Sequence, residues 1–278
     1  MPEMPEVETI RRIIEPQVAG QTICTVTVNH PQVIGYPDVE NFKLNLTGQT
    51  IEYMSRRGKY LTFHFANGDR MVLHLRMTGQ LLVTPKDYPQ EKHTHMIADL
   101  SGGEQIRYID VRRFGRFWYL KAEETDEITG QDKLGLEPLD GTLTADYLKE
   151  KLGKRKKPIK EMLHEQSVVA GIGNIYSDEI LSAAGIFPGE KCVDLRDGDW
   201  ALLAEKIREI ICWGIDTNKM SAKEYLAGKG KEYSNIPNLR VYGREGQPCK
   251  KCQSTIERVV IGGRGSCYCP VCQKKKYK

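Results

Sequence analysis

CKKCQSTIERVVIGGRGSCYCPVC, residues 249–272, decides how the end of this chain folds. Two Cys-x2-Cys pairs, Cys249/Cys252 and Cys269/Cys272, are separated by sixteen residues. Each pair can form a knuckle offering two thiolates, and four thiolates suit one tetrahedral Zn2+ with no coordination position left open. The metal is therefore expected to be structural. The text between the pairs reads as a strand, a glycine-rich turn and a returning strand, a hairpin too small to bury its own core. Arg264 stands at that turn among Gly262, Gly263 and Gly265. Glycines let the backbone approach a ligand closely, and a guanidinium there suits bidentate capture of a phosphate. The other cysteines, Cys24, Cys192, Cys212 and Cys267, are scattered, which argues against a disulfide framework.

Outward from this module, charge is local rather than global. The net charge of the 278 residues is only +4. Yet residues 249–278 hold eight Lys/Arg against one Glu, and GKRKKPIK (153–160) holds five basic residues and no acid. Such blocks favour a phosphate backbone as partner, though each alone also fits a solvated lysine-rich face. No window approaches the roughly 18 apolar residues of a membrane helix. No secretory leader is read, so the cytoplasm is the expected compartment. No heptad or exposed apolar stripe is evident, so a monomer is expected.

Residues 1–132 are strand-rich, with ANGD and SGGE as hairpin turns between β-branched and aromatic runs. Before them, Val7, Ile10, Ile13 and Ile14 share one face of a helix. Residues 133–228 are helical in texture, and 229–278 carry a turn-rich stretch and the cysteine module. The class is thus α+β, with several domains.

The amino end, MPEMPEVETIRR, carries chemistry. Removal of Met1 exposes the imino group of Pro2. A chain-terminal amine titrates near 8 against about 10.4 for lysine, so more of it is unprotonated at neutral pH. A secondary amine that attacks an aldehyde-level carbon gives a cationic iminium with no N–H to lose, an electron sink that drives elimination. Glu3 stands beside it as a possible acid or base. Taken alone, the stretch reads more readily as an incidental proline before an acidic helix start.

PEMPEVETIRR, RRGKYL, HLRMTGQL, DVRRFGRF, VVAGIGNIYSDEIL, VYGR and the four-cysteine module together resemble the formamidopyrimidine-DNA glycosylases, the Fpg/MutM branch of the Fpg/Nei superfamily. The resemblance spans nearly the whole chain in order. It implies an N-terminal two-layer β-sandwich, a helix–two-turns–helix domain and a zinc finger, with damaged double-stranded DNA in the cleft between lobes. It implies base flipping, attack by Pro2 on C1′, assistance by Glu3 and Lys59, and β- then δ-elimination. It assigns DNA contacts to His74, Met77, Arg112, Phe114, Lys160, Asn174, Tyr242 and Arg264. By residue type alone, Met77 and Phe114 would be core, Asn174 a helix cap and His74 structural. An endonuclease VIII-like enzyme and a non-catalytic zinc-containing DNA binder are the alternatives.

One segment departs from the pattern. Residues 216–240, DTNKMSAKEYLAGKGKEYSNIPNLR, lack the expected GGST-aromatic text that leads into a lesion-capping loop. A lesion preference other than 8-oxoguanine is the expectation that follows. Cys267, where His is common, offers a spare thiol, but Cys269 fits the metal spacing better.

Overall fold

The computed structural model describes residues 2–231 and 236–275; Met1, residues 232–235 of the divergent segment and the last three residues lie outside the described residues. Contacts divide the chain into two units. The first comprises Met1–Asp132 with Asn218–Ser234, and the second Lys133–Thr217 with Asn235–Lys278.

In the first unit, helix α1 (Met4–Val18) buries the face that the periodicity marks, with Val7, Ile10 and Ile14 fully buried. Strand β1 (Ile23–Val28), short β2 (Ile34–Tyr36) and helix α2 (Val39–Leu46) follow. Seven strands then run in succession: β3 (Ile51–Arg57), β4 (Tyr60–Phe65), β5 (Arg70–His74), β6 (Gly79–Pro85), β7 (Thr94–Leu100), β8 (Glu104–Asp110) and β9 (Arg116–Leu120). They form two sheets, ordered β1-β7-β8-β6 and β2-β9-β5-β4-β3. Pairing is antiparallel except between β2 and β9. One apolar core takes residues from both sheets, α1 and α2, which is the expected two-layer sandwich. Helix α2 was not apparent from the sequence. Asp38 caps it by accepting the Asn41 N–H, and Phe42 and Leu46 bury one side of its two turns.

In the second unit lie α3 (Ala145–Leu152), α4 (Ile159–Leu163), α5 (Asn174–Ala184) and α6 (Asp197–Thr217). Gln166 laces the turns before α5. Its amide donates to the carbonyls of His164 and Ile172 and its oxygen accepts the Gly171 N–H. Between α6 and the metal module the chain forms α7 (Ala222–Ala227), which belongs to the first unit: Tyr225 is buried in that unit's core. The hairpin predicted between the cysteine pairs is β10 (Glu257–Ile261) and β11 (Arg264–Tyr268), with Gly262 and Gly263 both at positive φ in a two-residue turn. No helix among the described residues is long and apolar enough to cross a membrane.

Candidate active site

Pro2 is buried in the wall of a recess of about 270 Å3 in the first unit, lined also by Met77, Thr78, Gly79, Gln80, Val111, Gly230 and Lys231. Glu3 is the residue that caps α1 and is 2% exposed. Its backbone N–H donates to the Glu6 carboxylate at 2.9 Å, which fixes the peptide next to Pro2. Lys59 sits in the two-residue turn between β3 and β4, where Gly58 supplies the positive φ that the tight hairpin requires.

His74 ends β5 and is 8% exposed. Burial, then the charges of Arg76 and Lys59, push its pKa down to about 3. The ring is therefore neutral at physiological pH. Its Nδ1 accepts the Arg76 N–H at 3.0 Å, which leaves the proton on Nε2 as a neutral donor.

Met77, Arg112 and Phe114 come together on the surface. The Arg112 guanidinium lies 4.6 Å from the centroid of the Phe114 ring and 3.0 Å from the Met77 sulfur. Met77 is 44% and Phe114 46% exposed, so the core placement suggested by residue type does not hold. The cause is local. Arg76 and Arg113, both non-glycine, adopt left-handed backbone at φ 54° and 59° in the two loops that carry this trio. Asp110, fully buried, holds both loops: it accepts from the Thr78 hydroxyl, the Tyr108 hydroxyl (3.0 Å), the Arg112 N–H (3.1 Å) and the Gly115 N–H (2.9 Å). Burial works against its charge, but these donors outweigh it and hold the carboxyl below its ordinary pKa. Gly115 has no alternative, since a Cβ there would lie 1.7 Å from the Tyr108 hydroxyl.

In the second unit the sites converge on the hairpin. Lys160 is 1% exposed; its ammonium meets Asp178 at 2.6 Å and the Gly265 carbonyl at 3.1 Å. Its charge is thus spent on a buried pair, while Lys154–Lys157 of the same run are exposed. Asp178 also accepts from the Ser266 hydroxyl and the Cys267 N–H. Asn174, the first residue of α5, donates to the same Gly265 carbonyl at 3.2 Å. Arg264, one residue earlier, is exposed at the tip. Tyr242 is half-buried, and its N–H, with those of Arg240 and Val241, is accepted by buried Glu179.

The sulfurs of Cys249, Cys252, Cys269 and Cys272 all lie within 4.8 Å of one another. The Cys252–Cys269 and Cys249–Cys272 separations, 3.4 and 4.0 Å, are far too long for a disulfide. They bracket the roughly 3.8 Å edge of a tetrahedron with Zn–S of about 2.3 Å. The donor set fits one structural zinc ion. Cys267 is outside the cluster.

Sequence reading missed Asp110, Asp178 and Asn218. The first two carried a signal: an acid inside the quoted run DVRRFGRF, and adjacent acids amid the apolar text of NIYSDEIL. Charges placed there need buried partners.

Family models match three stretches: the formamidopyrimidine-DNA glycosylase N-terminal domain over residues 1–117, the formamidopyrimidine-DNA glycosylase H2TH domain over 134–225, and the zinc finger found in FPG and IleRS over 246–275. The formamidopyrimidine-DNA glycosylase of Desulforamulus reducens is 42% identical over 277 residues, spanning 99% of this chain and all of that protein. That of Moorella thermoacetica is 44% identical, over 93% of this chain and 94% of its own length. Among solved structures, wild-type Lactococcus lactis Fpg bound to DNA containing an oxidized pyrimidine superposes with a TM-score of 0.90 at 37% identity, covering 99% of this chain and all of that one. Complexes of the same L. lactis protein with FAPY-dG DNA and with abasic-site DNA match with the same TM-score.

Proposed function

The chain belongs to the formamidopyrimidine-DNA glycosylase family, and we propose from that footing that Pro2 is its nucleophile and that two surfaces of the chain hold the damaged duplex. The protein is a base-excision-repair enzyme, a bifunctional DNA glycosylase and abasic-site lyase for oxidised bases. The Pro2 nitrogen donates its lone pair to C1′ of the damaged nucleotide. The bond from C1′ to the base breaks, and the base leaves with that electron pair and takes up a proton. The added nitrogen sheds its proton, and its lone pair expels O4′, which takes up a proton as the sugar opens to the iminium. Loss of a C2′ proton turns the iminium into an enamine, whose electrons expel the 3′ phosphate, and a second elimination expels the 5′ phosphate. Glu3 and Lys59 serve the proton transfers and hold the sugar–phosphate.

Met77, Arg112 and Phe114 fill the space left by the flipped base, with the ring as wedge and the guanidinium on the orphaned partner. His74, Asn174, Arg264 and Tyr242 contact the backbone near the lesion. Lys160 acts at one remove, by fixing the Gly265 carbonyl and so the position of Arg264. Zinc contributes structure alone, closing the base of the hairpin. We take the enzyme to act as a monomer in the cytoplasm, on nucleoid DNA, with no membrane contact.

The observation that carries this reading is Pro2 in the wall of a recess shared with Met77. The test is borohydride reduction on an abasic duplex, with the adduct mapped by mass spectrometry. Attachment at Pro2 is expected; attachment at a lysine, or no adduct, overturns the assignment. Gly230 and Lys231 of the divergent segment also line the recess, so we keep the expectation of a shifted lesion preference. A panel of defined duplexes tests it, and 8-oxoguanine opposite cytosine emerging as the best substrate would refute it.

A further inference from the structure

The divergent segment belongs to the first unit from Asn218 on, and among the described residues a buried ring, an ion pair and a buried hydrogen bond tie it there. Tyr225 is 3% exposed within its core. Lys229 pairs with Glu91 at 2.6 Å. Asn218, fully buried and the first of those residues, donates its side-chain amide to the Glu6 carboxylate at 3.1 Å, across 212 residues of sequence. The geometry of that last contact is directional. One oxygen of Glu6, Oε1, takes the Asn218 amide; the other, Oε2, takes the Glu3 N–H. Glu6 is 2% exposed, so water does not compete for the carboxylate.

We propose that Asn218 is a positioning residue for the catalytic amino terminus: by holding one oxygen of Glu6 it orients the other onto the Glu3 peptide, and so sets where Pro2 and Glu3 stand relative to the sugar. The physical argument is one of rotation. A Glu side chain in the first turn of a helix has three rotatable bonds, and a hydrogen bond at one oxygen leaves the carboxylate able to swing about it. A second bond from a rigid, fully buried amide removes that freedom. The nucleophile on this reading is the amino-terminal residue, joined to the fold by a single peptide, so its aim depends on how that peptide is held. A shift on the order of 1 Å at a reacting group costs about 100-fold in rate. The same link makes the segment that forms part of the recess wall, through Gly230 and Lys231, continuous with the residue that orients the nucleophile.

The proposal rests on Pro2 being the nucleophile, and the test separates the two. Single-turnover borohydride trapping on an abasic duplex is measured for the parent, Asn218→Ala, Glu6→Ala, the double variant and Asn218→Asp, beside DNA affinity and melting temperature. Asn218→Ala is expected to slow trapping about tenfold, the scale of one hydrogen bond to a charged group, with Kd for DNA changed less than about threefold. Because Asn218 acts through Glu6, the double variant should be no slower than Glu6→Ala alone; a merely structural role would make the two losses multiply. Asn218→Asp preserves shape and sets carboxylate against carboxylate, so it should trap at least as slowly as the alanine variant even where that one folds poorly. Trapping by the alanine or aspartate variant within threefold of the parent overturns the proposal, as does multiplication of the losses. A parent that forms no adduct refutes the assignment of Pro2 instead.

Discussion

Asp110→Asn changes one atom and should cost the first unit a measurable part of its stability. In the parent, Oδ1 accepts from the Thr78 hydroxyl and the Arg112 N–H, and Oδ2 from the Tyr108 hydroxyl and the Gly115 N–H. The amide keeps one acceptor and turns the other into a donor that faces two donors. Tyr108 can reverse its hydroxyl and accept; the Gly115 N–H has no such recourse. A bond to a charged group is worth about 1.5–3 kcal/mol, and a buried orphan donor costs about 1–3 kcal/mol. Burying a neutral amide in place of a charge offsets part of this, leaving a net loss of about 2–4 kcal/mol. For a unit of this size that lowers Tm by about 5–15 °C. The pH dependence has a definite sign. The parent carboxyl has a depressed folded pKa, so its contribution is complete above the unfolded value of about 3.9 and fades as pH falls through the lower folded value. The gap in Tm between parent and variant should hold from pH 8 to about 5 and narrow only below about 4. Excision of a paired lesion should fall more than cleavage of an abasic site, because Asp110 holds the loops of Met77, Arg112 and Phe114. Scanning calorimetry across pH with single-turnover excision checks all of this. A melting temperature within about 2 °C of the parent, with unchanged excision, would show that the four bonds do not carry the loops.

Cys269→Ser should abolish stoichiometric zinc and most DNA binding, while Cys267→Ser retains one zinc per chain; metal analysis and gel-shift titration decide between them. Arg264→Ala should weaken binding at moderate salt and lower the slope of log K against log[salt] by about 1, measured by fluorescence anisotropy; an unchanged slope would remove the phosphate assignment. His74 is already neutral, so no limb of the pH–rate profile between pH 5 and 8 should belong to it. His74→Gln, which keeps a neutral donor, should leave the profile's shape as it was, and a lost limb would contradict the burial argument.

The sequence made the cysteine module legible because metal spacing is a local signal, and the four ligands and the hairpin between them are where spacing put them. Helix α1 was legible for a similar reason, its apolar face being written at 3.6-residue intervals. The family resemblance, carried by dispersed motifs, is upheld over nearly the full chain. Elsewhere, local text misled. A run of five basic residues treats Lys160 like its neighbours, but Asp178, eighteen positions on, draws that one residue inside. Residue type sends Met77 and Phe114 to the core, whereas two left-handed turns and a buried acid hold them outward. Asn218 gave no sign at all, since its meaning depends on Glu6 at the far end of the unit's sequence.

Two neighbouring acids on α5 do separate jobs. Glu179 grips the chain at residues 240–242 and Asp178 grips it at 266–267. The stretch between these anchors, with the first cysteine pair and the hairpin, is thus held at both ends by consecutive residues of one helical turn. Residues 243–264 carry only Cys249 and Cys252, and Cys269 and Cys272 follow the second anchor, so the metal and α5 close the same stretch of chain from two sides. The register between the two cysteine pairs is thereby written twice, once in thiolates and once in two consecutive letters of α5.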